Sequence, residues 1–496
     1  MLFNSLFFIY WFLPVTLLVY FLVPRQLKNM ALLLASFVFY AWGGVTSTLV
    51  LAGSVVLNYG MGLAIGRPDG EQARKRMLTA GIVLNLLLLG VFKYTGFAVH
   101  NAGVLIRLLG LSPIMVHDVI LPLGISFFTF KAITYLVSVK RRESAPQRNF
   151  TGLALYLAMF PQLIAGPIDR YRELSGQISQ RTVTLEKFSS GISRFALGLF
   201  KKVVISSPIA WVADQVFTTP TELLSTPLAW LGAACYALRI YYDFSGYTDM
   251  AIGLGRMFGF AFVENFNFPY SSRSVKEFWQ RWHISLSTWL RDFLFLPLAW
   301  SISGKLKKDR YAGFRSEGII YLFAAMATFV LCGFWHGPAW HFVAWGTLNG
   351  VMLVWERTKP GRWIVRRFRP LAHLYMVFFI VVSMVFFRAD TLTEALKFLR
   401  VMAGARGVAT SWPALRAYFT REFVVMAVVA VLGSTTLFRD TGKWLRAGMV
   451  RRGDNGGPLL QAGWSLGTII AVVLVLFVST MYLLSQTNTP FIYFHF

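Results

Sequence analysis

Two histidines are notable because they lie in strongly apolar surroundings. His336 occurs in the run CGFWHGPAW (332–340), and His283 occurs in RWHISLS (281–287). Neutral imidazole can accept a proton near physiological pH, so a histidine can serve as a general base. Ionisable groups in apolar membrane segments are costly and usually have a task. The two runs predict proton transfer within a membrane. A core histidine bonded to a backbone carbonyl is the alternative for His336.

Further polar residues accompany the histidines. The run YYDFSGYTD (241–249) places Asp243 and Asp249 next to an apolar segment, where buried acids usually pair or serve transport. Either acid is expected to orient a histidine or to pair with an arginine, and a purely structural ion pair stays open. Trp335, with the tryptophans at 340 and 345, is expected to exclude water from His336.

The segment 277–292 has apolar residues at helical spacing. Its other face carries Arg281, His283, Ser287 and Arg291. It is expected to lie at the cytoplasmic interface or to line a cavity, and one interpretation is a funnel for a phosphate-bearing donor. The expected phosphate contacts are Arg281, Arg291, Lys276 and Arg273. An ordinary basic interfacial helix is the alternative.

Metal and cofactor chemistry are not expected. His341 follows His336 by five residues, which places the two about 140° apart around a helix, so they do not share a face. The two cysteines, Cys235 and Cys332, lie in apolar stretches and are too few for a disulfide framework. No nucleotide-binding loop or metalloprotease motif occurs in the sequence. We therefore predict no metal and no bound cofactor.

The composition indicates a polytopic α-helical membrane protein. Of the 496 residues 56% are hydrophobic and only 14% are charged, against roughly 25% charged in soluble proteins. The mean hydropathy is +0.56. The formal net charge of +26 comes mainly from short runs between apolar segments, which is the positive-inside pattern and does not favour nucleic acid.

Candidate segments can be read from the apolar runs. They are 2–23, 27–42, 46–65, 78–98, 119–139, 153–164, 190–216, 228–244, 278–300, 319–334, 340–355, 371–387, 423–437 and 466–484. Segment 153–164 is short and precedes Ala-Gly-Pro, so a re-entrant hairpin or a short tilted helix is expected. We predict about 11 true spans.

Loop charge predicts the orientation. Basic loops follow odd-numbered spans, so the first loop should be cytoplasmic and the N-terminus periplasmic. The basic loop 439–452 would place residues 490–496 on the periplasmic side. We predict one membrane domain over 1–496, with N-terminal helices 1–140, a motif-bearing core of about 150–356 and C-terminal helices 371–496.

These motifs together resemble the membrane-bound O-acyltransferase family, and within it the bacterial branch that O-acetylates polysaccharides such as alginate. The resemblance is carried by LPLGISF (121–127), FPQLIAGP (160–167), DFSGYTDMA (243–251), FWQRWHISLS (278–287), WHG (335–337) and PFIYF (490–494). It implies an all-α polytopic fold: a ring of transmembrane helices, with re-entrant and interfacial helices, around a thin central layer. It also implies that His336 is the essential histidine and His283 its polar partner.

The family resemblance further implies the reaction. The acetyl donor would be cytoplasmic acetyl-CoA, and the acetyl group would pass across the inner membrane to a periplasmic acetyltransferase partner and an exopolysaccharide. Alginate is the expected polysaccharide, with acetylated cellulose or another exopolysaccharide as alternatives and lipoteichoic acid D-alanylation as a weaker one. Two other classes stay open at this point, an acyl-group transporter or channel and a biosynthetic scaffold without bond chemistry.

Overall fold

The computed structural model describes residues 1–67, 70–111, 120–311, 313–405, 407–409, 411–451 and 457–485. Of residues 445–451, 457–462 and 464 only the backbone is described. Within these ranges the regular secondary structure is helical apart from one antiparallel pair of strands, β1 (Arg310–Tyr311) and β2 (Phe314–Arg315). The predicted motif at 490–494 and the predicted periplasmic segment 490–496 lie outside the described residues.

The helices follow one another through the chain. The first eight are α1 (Leu13–Leu22), α2 (Lys28–Ala41), α3 (Val45–Gly66), α4 (Glu71–Leu108), α5 (Ile125–Lys140), α6 (Phe150–Ala158), α7 (Phe160–Leu163) and α8 (Tyr171–Ser179). The next eight are α9 (Leu185–Phe200), α10 (Ser206–Thr218), α11 (Thr226–Met257), α12 (Val275–Arg281), α13 (Ile284–Leu290), α14 (Leu296–Lys305), α15 (Ser316–His336) and α16 (Trp340–Trp355). The last are α17 (Lys359–Arg367), α18 (Arg369–Arg388), α19 (Leu392–Met402), α20 (Trp412–Arg416), α21 (Arg421–Gly433), α22 (Leu437–Arg451) and α23 (Gly457–Ser485).

Short helical turns of other types connect or precede these helices. The π-helical turns are Phe8–Phe12, Lys201–Ile205 and Arg291–Phe295, and the 3-10 turns are Arg25–Leu27, Thr221–Leu223 and Pro269–Ser271. The turn at Lys201–Ile205 joins α9 to α10, so that one apolar stretch, Leu185–Thr218, is long enough to cross a membrane. The predicted segment 190–216 lies inside this stretch.

Six helical stretches in the described part of the chain are long and apolar enough to span a membrane. They are Val45–Gly66, Glu71–Leu108, Leu185–Thr218, Ser316–His336, Arg369–Arg388 and Ser465–Ser485. The pair Arg421–Gly433 and Leu437–Trp444, bent by 67°, would make a seventh. Several membrane-spanning helices agree with the polytopic prediction, and the number of about 11 spans stays a prediction.

The chain divides into two compact units, each built from two pieces of sequence. The first contains residues 1–195 and 247–263, and the second contains residues 196–246 and 264–496. Helices α9 and α11 cross the borders between these pieces. The single-domain prediction, with parts 1–140, 150–356 and 371–496, is not tested by this division and stays a prediction.

A buried polar network lies in the core of the first unit. The Nζ atom of Lys131 donates to Oε1 of Gln162 at 2.9 Å, and the Gln162 amide donates to the carboxylate of Asp169. Asp169 also accepts from the backbone N–H of Val263 at 3.1 Å. Lys131, Gln162 and Asp169 are each 1% exposed. Buried charges of this kind require such partners, so the network joins α5 to the FPQLIAGP segment.

The short predicted segment 153–164 is two helices. Helix α6 ends at Ala158 and α7 begins at Phe160, and Pro161 stands in the first turn of α7. The turn that precedes α5 packs closely against α7 at Gly124. A Cβ atom at this position would lie 2.3 Å from the carbonyl oxygen of Leu163, and its φ is +74°. Only glycine fits this left-handed position. The re-entrant or tilted arrangement expected for this segment stays a prediction.

Helices α15 and α16 approach each other closely in the second unit. A Cβ atom at Gly333 would lie 2.2 Å from the carbonyl oxygen of Phe342. One at Gly346 would lie 2.2 Å from the carbonyl oxygen of Phe329. The order of these contacts makes the two helices antiparallel. Small residues are needed at both positions because the backbones touch, and the contact holds His336, the last residue of α15, near the start of α16.

We predict that Gly346→Ala destabilises the protein by about 1–3 kcal/mol, because the added methyl group overlaps the backbone of α15. The matched control is Gly318→Ala, on α15, where a Cβ atom would meet nothing within 4 Å. The measurement is thermal unfolding of the purified protein in detergent. Equal unfolding temperatures for the two variants would contradict the close-packing account.

Candidate active site

His336 lies in an enclosure of aromatic rings. It is 5% exposed. Its ring centroid is 4.9 Å from that of Trp335, 5.1 Å from that of Trp345 and 5.1 Å from that of Phe387. The three rings meet the imidazole at steep angles and shield it from solvent. Trp340, at the start of α16, is 56% exposed, and its role in excluding water from His336 stays a prediction.

Phe387 is the part of the enclosure that sequence analysis missed. It lies near the C-terminal end of α18. The last turn of this helix has a hydrogen-bond contact with His341 and an ion pair with Asp214. The carbonyl oxygen of Phe386 lies 2.9 Å from Nδ1 of His341, and Arg388 lies 3.4 Å from the carboxylate of Asp214. The same carboxylate pairs with Arg239. These contacts fix the ring of Phe387 against His336.

His283 stands at a break between two helices, which corrects the prediction of one continuous amphipathic helix over 277–292. Helix α12 ends at Arg281 and α13 begins at Ile284. His283 has φ +43°, in the left-handed region. Its side chain is completely buried, with the ring centroid 4.8 Å from that of Phe244. The histidine therefore does not share a surface with Arg281.

One amide produces this break. The Oδ1 atom of Asn265 lies 3.1 Å from Nδ1 of His283 and accepts from the backbone N–H of Ser285 at 3.1 Å and its hydroxyl at 3.0 Å. The backbone N–H of Ile284 donates to the carbonyl oxygen of Asn265 at 2.9 Å. Asn265 is 1% exposed. A single residue from another segment thus orients the imidazole and caps the start of α13. Its place in an aromatic run, NFNFPY (265–270), is the only sequence signal for it.

Aromatic packing connects the neighbourhoods of the two histidines within the second unit. The indole N–H of Trp279 donates to Oδ1 of Asn349 at 3.2 Å. The ring of Trp279 lies 5.8 Å from that of Trp345, which touches His336. Trp279 belongs to α12, two residues before the break at which His283 lies. Helix α12 therefore packs against α16, the helix that lines the His336 enclosure.

Asp243 and Asp249 are in ion pairs. Asp243 pairs with Lys202, and both side chains are buried. Asp249 pairs with Arg194, whose Nη2 and Nε atoms lie 2.6 and 2.8 Å from Oδ1. For Asp249 the expected arginine partner is found. The cation beside Asp243 is a lysine, which sequence analysis did not identify because it lies 41 residues away.

The remaining predicted site residues have local partners. Arg281 bonds to Glu277 at 2.9 Å and to the carbonyl oxygen of Asn267 at 3.2 Å, which stabilises the end of α12. The hydroxyl of Ser287 donates to the carbonyl oxygen of Trp282 at 3.1 Å. Arg291 is largely exposed and pairs with its neighbour, Asp292. A donor-binding role for these three residues stays a prediction.

Within the described ranges, no group of three or more His, Cys, Asp or Glu residues could hold a metal ion.

With this geometry established, comparison with known proteins identifies the class. The chain belongs to the membrane-bound O-acyltransferase family, whose sequence profile matches residues 124–369. It is 38% identical to the "Probable alginate O-acetylase AlgI" of Pseudomonas putida, with all of both chains covered. It is 36% identical to the peptidoglycan O-acetyltransferase of Helicobacter pylori, over 82% of this chain and 81% of that protein.

The chain is also similar to the teichoic acid D-alanyltransferase of Bacillus subtilis. The two are 32% identical over 48% of this chain and 59% of that protein. Both histidines lie within residues 124–369, the range that the family profile matches. The chain is therefore an O-acyltransferase and a multi-pass membrane protein. Family membership argues against the transporter and scaffold interpretations.

We predict that Asn265→Ala reduces acyl transfer about five- to 150-fold, because loss of buried hydrogen bonds worth about 1–3 kcal/mol releases His283 from its orientation. The matched control is Asn267→Ala, an exposed asparagine two residues away. The measurement is the transfer rate at equal amounts of folded protein. If the two variants transfer at the same rate, His283 does not depend on Asn265.

Proposed function

We propose that this chain is an O-acetyltransferase that takes an acetyl group from cytoplasmic acetyl-CoA and passes it across the bacterial inner membrane. The final acceptor would be a secreted exopolysaccharide, with alginate as the first candidate. The aromatic enclosure of His336, at the end of the close α15–α16 pair, is the observation that carries the proposal. Similarity over the whole chain to alginate O-acetylases supports the choice of acetyl and alginate.

In the proposed reaction His336 is a general base. Its imidazole takes the proton from an acceptor hydroxyl, whose oxygen attacks the thioester carbonyl of the donor. The carbon–sulfur bond then breaks, the coenzyme leaves as a thiolate, and the thiolate takes the proton back from the imidazolium. The surrounding rings of Trp335, Trp345 and Phe387 keep water, a competing acceptor, away from the thioester. An acetylated His336, acting as a covalent carrier, is the rival mechanism.

His283 is proposed as the second polar group of the site. Asn265 fixes its ring, and the left-handed backbone is the kind of strain that is often retained at functional positions. The chain would bind no cofactor beyond its acetyl donor. The basic residues Arg281 and Arg291 are proposed to attract donor phosphates.

The proposed topology places the N-terminus in the periplasm and the basic loops in the cytoplasm. A separate periplasmic acetyltransferase would then receive the acetyl group and place it on the polysaccharide. Peptidoglycan, acetylated cellulose or another exopolysaccharide is an alternative acceptor. The peptidoglycan alternative is supported by the 36% identity to the Helicobacter pylori protein.

We predict that a deletion strain complemented with His336→Ala secretes polysaccharide without O-acetyl groups, because the transfer step lacks its base. Wild type should restore them. The matched control, His373→Ala, replaces an exposed histidine of the same unit and should also restore them. The measurement is the O-acetyl content of the secreted polysaccharide at equal membrane levels, which identifies the glycan as well. Restoration by His336→Ala would contradict the proposal.

A further inference from the structure

The second unit contains a cavity whose lining includes none of the residues named in the reaction above. It has a volume of about 350 Å³ and lies where four elements meet: the start of α12, the first turns of α15, the end of α16, and α17. Its walls carry four cationic side chains, Lys276, Arg357, Arg362 and Arg366. The cavity is separate from the His336 enclosure, whose aromatic residues do not line it.

In the described part of the chain the four cations form no ion pair with a carboxylate. Among the described residues, no acidic oxygen lies within 4.0 Å of a side-chain nitrogen of Lys276, Arg357, Arg362 or Arg366. The Arg357 guanidinium is held in place by the ring of Tyr321, with 3.8 Å between the guanidinium carbon and the ring centroid. Like charges gathered without a counter-ion repel one another. Such an arrangement is expected where an anion binds.

The one acid in the wall has other partners. Glu356 accepts from the backbone N–H groups of Val275 and Lys276 at 2.6 and 3.3 Å, and from the hydroxyl of Tyr375 at 3.2 Å. Its carboxylate therefore caps the start of α12 and does not face a guanidinium at bonding distance. With one acid and four bases the wall carries a formal charge of +3.

Helix α17 presents two of the arginines together. Arg362 and Arg366 are four residues apart and so lie on the same face of the helix. Arg367 is next in sequence and points about 100° away; it does not line the cavity. Arginine binds phosphate through two parallel N–H groups, which gives both affinity and orientation.

We propose that this cavity binds a phosphate ester group, with Arg362 and Arg366 as its main contacts and Lys276 and Arg357 completing the site. Two sources have this chemistry. One is the acetyl donor coenzyme, which rests on the proposed function. The other is the headgroup of an anionic phospholipid, since the exposed ring of Trp363 gives α17 an apolar face of the interfacial type.

The position of the cavity suits the coenzyme. Tyr321 and His336 are fifteen residues apart on α15, which is about 22 Å at 1.5 Å per residue. The arm of coenzyme A has about thirteen bonds between its nearest phosphorus and its sulfur, or roughly 16 Å when extended at about 1.2 Å per bond. Its two further phosphates lengthen that reach. Because the nearest phosphate falls about 6 Å short of the helix distance, one of the two outer phosphates would occupy the cavity when the thioester lies at the depth of His336.

The test measures binding by the purified full-length chain, with Arg362→Ala/Arg366→Ala as the variant and Arg367→Ala as the matched control. The probes are acetyl-CoA, acetyl-pantetheine, which lacks all phosphates, and nanodiscs of phosphatidylglycerol or phosphatidylcholine. We expect the double variant to lose about tenfold or more in affinity for one phosphate-bearing probe, as lost charged hydrogen bonds imply. Arg362→Lys/Arg366→Lys should recover part of it and shows that folding is retained.

Each outcome has a definite meaning. Weaker binding of acetyl-CoA with unchanged acetyl-pantetheine binding supports the site and assigns it to the coenzyme. Loss of phosphatidylglycerol retention with unchanged acetyl-CoA binding supports the site and assigns it to lipid. An equal loss in Arg367→Ala, or no loss in the double variant, overturns the proposal. Because binding is read without transfer, failure of the O-acetylation proposal would be seen separately, in the His336→Ala polysaccharide assay.

Discussion

Direct backbone contact between α15 and α16 is the constraint on which the rest of the second unit depends. Gly333 and Gly346 remove the side chains that would keep the two helices apart. Because the helices are antiparallel and touch, His336 at the end of α15 stays beside Trp345 on α16. One end of this helix pair lines the His336 enclosure, and the other end lines the cavity of Lys276, Arg357, Arg362 and Arg366. The two sites are about one helix length apart.

The helical architecture could be predicted well from the sequence. Continuous apolar runs identify membrane helices because every backbone group in lipid must be bonded within the helix. The predicted segments 46–65 and 371–387 agree with Val45–Gly66 and Arg369–Arg388 to within two residues. The isolated histidine of the WHG run was also informative, because an ionisable group in an apolar membrane helix is energetically costly and usually has a function. The structure places that histidine in a solvent-shielded enclosure.

The contacts that complete the site could not be predicted. The break at His283 is caused by Asn265, eighteen residues earlier, while the apolar spacing of 277–292 continues across it. Local periodicity therefore predicts one helix where a tertiary hydrogen bond produces two. Phe387 lies 51 residues after His336, and no local pattern links them. Contacts between residues far apart in sequence depend on tertiary packing, and this packing cannot be predicted from the local patterns of a single sequence.

The central claim is that His336, inside its aromatic enclosure, is the general base on which acetyl transfer depends. A single-turnover measurement with purified protein in nanodiscs, labelled acetyl-CoA, the periplasmic acetyltransferase partner and an oligosaccharide acceptor tests it most directly. The account predicts that label leaves the coenzyme and reaches the acceptor with wild type, and that His336→Gln, folded and binding acetyl-CoA equally well, transfers none. Equal transfer by His336→Gln would contradict the account.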